Sequence, residues 1–357
     1  KELLWLAKGG GSYEHFPGVI TSLRFSLFPM KPREKQWVKF SAEILNPRRL
    51  AHQTFMHWQR WAPDHPDRRL TAELWVSKQW DGEARLYYTG LFFGPVEKFE
   101  ALWKEEVESH VPSELRYSAM DASEYIIKAT GVDEEEELLT GKHGWDASGA
   151  LWKGRSFVSK GTMLNSSSFQ ALANHVWDAD GRQYVELKPL GGAIAEIEPA
   201  DTAFWHRKAS WWGLYQSFWP EDWGPEQIKA MLAGGAAVTK GIVEGLRAEN
   251  IYGGQYVGYV DHSGAKNRGE ELRSYYGGNL QRIQNVRRRW DPSGVFRHVR
   301  PKVNLLSEPK KPKLASAKDD DEDDEEEEDA AVTAAARKRG RGGKGGNKVY
   351  SARKDTG

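Results

Sequence analysis

Several stretches of this chain set chemically active side chains beside glycine. Trp5-Leu6-Ala7-Lys8-Gly9-Gly10-Gly11-Ser12, continuing through Phe16-Pro17-Gly18-Val19-Ile20-Thr21, lets a backbone come close to a ligand, because glycine has no Cβ in the way. That suits a loop laid against the phosphates or ring of a cofactor, although a bare glycine triplet is more often only a turn. His206-Arg207 pairs a group that exchanges a proton near neutral pH with a planar guanidinium able to clamp an anion. Tyr256-Val257-Gly258-Tyr259-Val260-Asp261 and Tyr275-Tyr276-Gly277-Gly278-Asn279-Leu280 bring together phenols, a carboxylate and an amide. By residue type alone, two tyrosines in a strand are packing residues more often than catalysts.

The elements that must position these groups belong to a chain of 357 residues without cysteine. That length allows one large or two ordinary domains. The lack of cysteine removes disulfides, thiolate metal sites and a cysteine nucleophile. A formal net charge of +0 conceals an asymmetry: residues 319–329 are all acidic, while Arg337 to Lys354 is basic and rich in glycine. The 16 tryptophans are expected chiefly to fill the core and pack helices, with a minority free to form a stacking wall. No apolar run approaches the length of a bilayer span, so no membrane partner is expected.

Val19 to Leu27 alternates apolar and polar residues and is expected to form a strand, ended by Pro29 and Pro32. Arg48 to Trp61 has helical spacing, with Leu50, Phe55, Trp58 and Trp61 near one face. Leu70 to Val76 and Ala84 to Phe93 flank Asp81-Gly82 as a hairpin. Pro95 opens a helix marked by Val96, Phe99, Leu102, Trp103 and Val107. Further helices are expected over Ser168 to Val176, from Gly224-Pro225 to about Arg247, and from Leu280 to the Asp291-Pro292 stop. Strands are expected over Gln183 to Leu187 and Ser210 to Trp219. Together these give an α+β fold, an antiparallel sheet covered by helices. Residues 306–357 hold too little apolar surface to offset their ordering entropy and are expected to be disordered. Their basic end could meet nucleic acid, but the neighbouring acidic run competes for those charges, so a nucleic-acid partner is not expected.

Taken in order, the motifs resemble those of the berberine bridge enzyme-like FAD-linked oxidases, within the vanillyl-alcohol oxidase/PCMH-type flavoprotein superfamily. The glycine-rich opening is similar to the family's Trp-Ala-x-Arg-Gly-Gly-Gly-Gly segment, with Lys8 in place of the arginine. Leu190-Gly191-Gly192-Ala193-Ile194 and Thr202-Ala203-Phe204-Trp205-His206-Arg207 resemble a Gly-Gly-x-Ile and a Thr-Ala/Pro-Phe-Pro-His-Arg motif. In the family this motif fixes a loop at the domain junction, which gives His206 no catalytic part. Tyr256 to Asp261 resembles Tyr-x-Asn-Tyr-x-Asp, with Gly258 in place of the asparagine, and Tyr276, Gly277 and Asn279 resemble Tyr-x-Gly-x-Asn.

The resemblance implies FAD as cofactor, approached by Gly9, Gly10, Gly11, Gly18, Val19, Ile20, Tyr256, Tyr276 and Asn279. It implies hydride transfer to the flavin from a small-molecule alcohol, such as a sugar hemiacetal or an allylic alcohol, with reoxidation by O2. Tyr259 takes the place of the base. A phenol ionises near pH ~10, so this role needs nearby positive charge or strong hydrogen bonds to the oxyanion. The strand over Ser210 to Trp219 would present Tyr215 or Gln216 to substrate; a shift of one residue turns a side chain to the opposite face, and both stay open.

The implied layout places the last part of the FAD-binding domain at 1–28 and a substrate domain at 29–240. A C-terminal segment returns to the FAD domain at 241–305, and the tail follows at 306–357. On this layout most of the FAD-binding domain, with any covalent flavin anchors, would lie upstream. The competing expectation is a non-catalytic fragment or degenerate domain that binds a partner through its charged tail. A protein that follows its family would be found in the secretory pathway or outside the cell.

Overall fold

The computed structural model describes residues 1–9, 16–22, 24, 36–79, 81–121, 151–160, 166–179, 182–219, 223–259 and 267–296. Gly10, Gly11, Asp261 and the tail at 306–357 lie outside them. The described elements are α1 (Glu2–Ala7), β1 (Gln36–Ile44), α2 (Pro47–Trp61), β2 (Leu70–Lys78), β3 (Ala84–Phe92) and α3 (Val96–Trp103). They continue with β4 (Ser113–Asp121), β5 (Leu151–Ser159), α4 (Ser166–Asp178), β6 (Arg182–Pro189) and β7 (Trp211–Trp219). The last are α5 (Pro225–Ala248), β8 (Tyr252–Gly254), α6 (Arg268–Tyr276) and α7 (Leu280–Trp290).

Among the described residues, one sheet of eight strands in the order β4-β1-β3-β2-β6-β7-β5-β8 organises the fold, and the paired neighbours are antiparallel. Successive side chains of a strand point to opposite faces, so one alternation sets which residues meet the helices. On that face Val38, Phe40, Ala42 and Ile44 of β1 join Ala72, Leu74 and Val76 of β2 and Leu86 and Tyr88 of β3 in a continuous core. The helices fill it from above. Phe55 of α2 stacks on Phe169 of α4 with ring centroids 4.0 Å apart, and Phe99 and Trp103 of α3 lie against Phe40. The buried indole of Trp58 donates its N–H to the Ala72 carbonyl at 2.9 Å, so the large ring carries no unpaired donor into the core.

The helix ends follow from local chemistry. Pro47 and Pro225 occupy first turns, where a missing N–H costs nothing. The Gln227 side chain accepts from the Gly224 N–H at 3.0 Å and closes the start of α5. Ile228, Met231, Gly235, Val238, Ile242 and Leu246 then recur at helical spacing and form the buried stripe. This helix runs through position 240 without a break. At the far end, the Asp291 carboxylate accepts from the backbone of Val295 at 2.6 Å and of Phe296 at 3.0 Å, which fixes the chain as it leaves α7.

A second, smaller core gathers Trp5 and Leu6 of α1, Ala203, Val257, and Leu272, Tyr275, Tyr276, Ile283 and Val286 of the last two helices. Two sequence expectations fail. The described part of Val19 to Leu27 is not a strand: Val19 and Ile20 are exposed, and no described strand pairs with them. Alternation makes no ladder without a neighbour's N–H and C=O groups. Tyr256 to Tyr259 forms a turn rather than a strand, closed by the Tyr259 N–H on the Tyr256 carbonyl at 3.1 Å.

Candidate active site

The face of the sheet away from the helices carries rings, hydroxyls and charges. Register places Arg182 opposite Phe218, Tyr184 opposite Gln216, Glu186 opposite Leu214 and Lys188 opposite Trp212 along β6 and β7. On the other side of β6, Glu186 faces Trp75 and Tyr184 faces Ser77. Side chains that share this parity lie on one face.

Lys188 sits among acids. Its Nζ is 3.2 Å from Glu186 Oε1, 3.5 Å from Glu73 Oε1, and 5.8 Å from the centre of the Trp212 ring. Burial works against its charge, yet the two carboxylates outweigh that and hold its pKa above the ordinary lysine value. Glu186 is buried, and its Oε2 has no hydrogen-bond partner. Desolvation therefore lifts its pKa above the usual carboxylate range, against the opposing pull of Lys188.

The 255–259 turn delivers two tyrosines to the same face. Ser156 of β5 anchors it, accepting from the Tyr256 N–H at 3.0 Å and donating to the Tyr256 carbonyl at 3.1 Å. The Tyr256 ring then lies 5.2 Å from Trp212, and the Tyr259 ring 6.1 Å from Trp212 at an interplanar angle of 24°. Tyr259 is half-buried. Burial, with Glu186 adding to it, raises its pKa above the ordinary phenol value, and Lys188 pulls the other way. The phenol is thus set to hold its proton at neutral pH.

Of the residues singled out from sequence, Tyr256, Tyr259 and Gln216 share this face. Tyr215 does not: it lies on the helix side, its hydroxyl donates to Gln183 Oε1 at 2.7 Å, and its ring packs beside Gly235 of α5. Tyr276 is buried in the smaller core, and the Asn279 amide donates to the carbonyls of Pro199 at 2.7 Å and Thr202 at 3.0 Å. Gly9, at φ 106, packs under Phe204. Gly18 is half-buried beside exposed Val19 and Ile20. Glu73, Glu186 and Lys188 were missed by sequence reading. For Glu186 and Lys188 the signal was their i, i+2 spacing at the end of the expected strand Gln183 to Leu187, which puts two charges on one face.

His206 has the structural part expected of it. Its Nε2 lies 3.1 Å from the Gln255 carbonyl and 3.0 Å from the Ser274 carbonyl, tying the 200s loop to the turn and to α6. Burial pushes its pKa down from 6.5 to about 4. The unfolded chain takes up this proton first as pH falls, so the stability held by neutral His206 is complete above about pH 6.5 and declines towards pH 4. The loss approaches about 3 kcal/mol. Urea midpoints measured between pH 7 and pH 4 should carry this slope, and His206→Gln should flatten it; equal slopes would show that the imidazole is not held neutral.

Among the described residues, no cluster of His, Asp and Glu has the makings of a metal site, and no helix is long and apolar enough to cross a membrane.

Comparison with known proteins agrees with the motif reading. Residues 255–300 match the family model described as berberine and berberine like. The chain is 24% identical over 298 residues to the uncharacterized FAD-linked oxidoreductase YgaK of Bacillus subtilis, covering 83% of this chain and 58% of that protein. Its fold is that of BBE-like 28 from Arabidopsis thaliana, with a TM-score of 0.64, 20% identity, and coverage of 83% of this chain and 61% of that one. A xylooligosaccharide oxidase from Myceliophthora thermophila in complex with xylobiose superposes with a TM-score of 0.63 at 15% identity, covering 83% of this chain and 60% of the other. At such identity these structures speak to the fold. The chain spans about three-fifths of the length of the relatives it matches.

Proposed function

We propose that this chain supplies the substrate side of a flavin-dependent alcohol oxidation, with FAD laid beside the face of the sheet that turns away from the helices. The observation that carries the reading is the meeting of Trp212, Tyr256 and Tyr259 with the Glu73–Lys188–Glu186 group on the face of the sheet away from the helices. Residue chemistry there suits a flat ring system. Aromatic side chains offer apolar contact, while the Tyr184 hydroxyl and Glu186 Oε2 are buried without partners and stand ready to bond a group that arrives. Bound FAD would supply the two-electron acceptor.

The chain's own part is to orient the alcohol and to move its proton. Gln216 offers an amide to the substrate hydroxyl from β7. Tyr259 takes the hydroxyl proton as the C–H bond breaks. A bare phenolate is costly here, because burial favours the neutral form. Lys188 offsets part of that cost, and Glu186, made more basic by burial, accepts the proton that Tyr259 gives up. The proton taken from the alcohol thus ends on Glu186 and neutralises its carboxylate. The oligosaccharide oxidases that share the fold support a carbohydrate hydroxyl as the reacting alcohol, and O2 serves as the final acceptor in this reading.

The test uses the full-length protein. It should purify with bound flavin, and anaerobic addition of an alcohol or sugar from a chemically varied panel should bleach the flavin absorbance. Full-length protein that binds no flavin would end the proposal.

A further inference from the structure

Next to the site just described, β1, β3, β2 and β6 form the floor of a cavity of about 230 Å³. Small-molecule sites run to ~300–1,000 Å³, so this volume suits one ring of a longer ligand rather than a whole one. The walls are of two kinds. Trp75, Tyr184 and Phe218 stand in a file, with centroids 5.6 Å apart at 3° for the first pair and 5.4 Å apart at 19° for the second. Facing them are the hydroxyl-bearing Ser41, Ser77 and Thr89.

Among the described residues, Arg182 is the one charged residue lining this cavity. Its guanidinium lies 5.2 Å from the centre of the Phe218 ring, and its Nε is buried without a hydrogen-bond partner. It makes no ion pair among the described residues. The other arginine on this face nearby, Arg85, already binds Asp81 at 2.6 Å. The Tyr184 hydroxyl, on a side chain 4% exposed, is the second orphan at the same place. A buried guanidinium edge and a phenol without partners, beside hydroxyls and rings, ask for a ligand with a carboxylate and hydroxyls on one small ring. Tyr184 also connects the cavity to the proposed reaction centre, since it faces Gln216 across the β6–β7 pair.

We infer that this cavity is a second binding subsite, taking an acidic sugar ring of a substrate at least two rings long whose other end reaches Tyr259. The inference rests on the proposed alcohol oxidation for the place of the reacting end, but the subsite itself can be tested by binding alone.

Cellobiouronic acid and cellobiose differ by one carboxylate and serve as probes on the flavin-bearing full-length protein. Binding is read from tryptophan fluorescence and, separately, reaction from flavin bleaching. The acid should bind about tenfold more tightly than the neutral disaccharide. Arg182→Gln should erase that preference, and Arg182→Lys, which keeps the charge and guards against a folding defect, should retain part of it. Equal affinities, no binding by either probe, or a preference that survives Arg182→Gln would overturn the subsite. Preferential binding of the acid without flavin bleaching by any sugar leaves the subsite standing and removes the proposed reaction. Bleaching by both probes alike, unchanged in Arg182→Gln, does the reverse.

Discussion

Tyr259→Phe should slow anaerobic flavin reduction in the full-length protein by about 10²–10⁴-fold, the usual worth of a positioned general base. The substitution is well isolated. Phenylalanine keeps the ring 6.1 Å from Trp212 and 6.1 Å from Tyr256, so packing of the turn survives and only the hydroxyl is lost. Flavin content and the urea midpoint should therefore match those of the parent protein, with the loss confined to the rate constant for reduction. Stopped-flow absorbance under anaerobic conditions measures that constant directly. An unchanged rate would take Tyr259 out of the mechanism and shift attention to Glu186 as the first proton acceptor.

The second large effect concerns stability. Gly277→Ala should cost about 3 kcal/mol or more, from overpacking joined to a disfavoured backbone conformation. Gly277 has φ 47, and a Cβ there would come within 2.1 Å of Trp205 Nε1 and 2.2 Å of its Cδ1. The neighbouring Gly278 also packs on the Trp205 ring, so the indole meets backbone at two successive positions. Gly82→Ala supplies the control. It has φ 82 with nothing within 4 Å, so it registers backbone strain alone, at about 1 kcal/mol. Urea unfolding of both variants should separate them clearly. Equal losses would show that the Trp205 contact contributes nothing.

The same motif shows what sequence could and could not disclose. Long periodic segments were legible: α2, α5 and α7 lie where their apolar spacing puts them, and the β2–β3 hairpin turns at Asp81-Gly82 as expected. β1 alternates cleanly at Val38, Phe40, Ala42 and Ile44, a pattern as legible as that of β2. β4 was harder. It lies at the sheet edge and is exposed along most of its length, so no apolar alternation marks it. Within the site, Tyr256 and Tyr259 were reachable through motif order. The choice between Tyr215 and Gln216 was not, since it depends on strand parity against β6, which only the register reveals. Glu73 lies more than a hundred positions from Glu186 and Lys188, and no local pattern can announce its place beside them.

The sheet keeps two kinds of account with its surroundings. On the helix side, exchanging Leu74 or Phe40 for alanine would open a void costing about 2–5 kcal/mol. On the other side, half-buried Trp75, Tyr87 and Thr89 alternate with those same core positions yet make no part of the helix-packed core. Mutations there fall nearer the range of surface substitutions, about 0.5 kcal/mol. On β2 and β3 that face can therefore change while the helix-packed one is kept. A designer who wants a new binding surface can graft it in those alternating positions without opening the core.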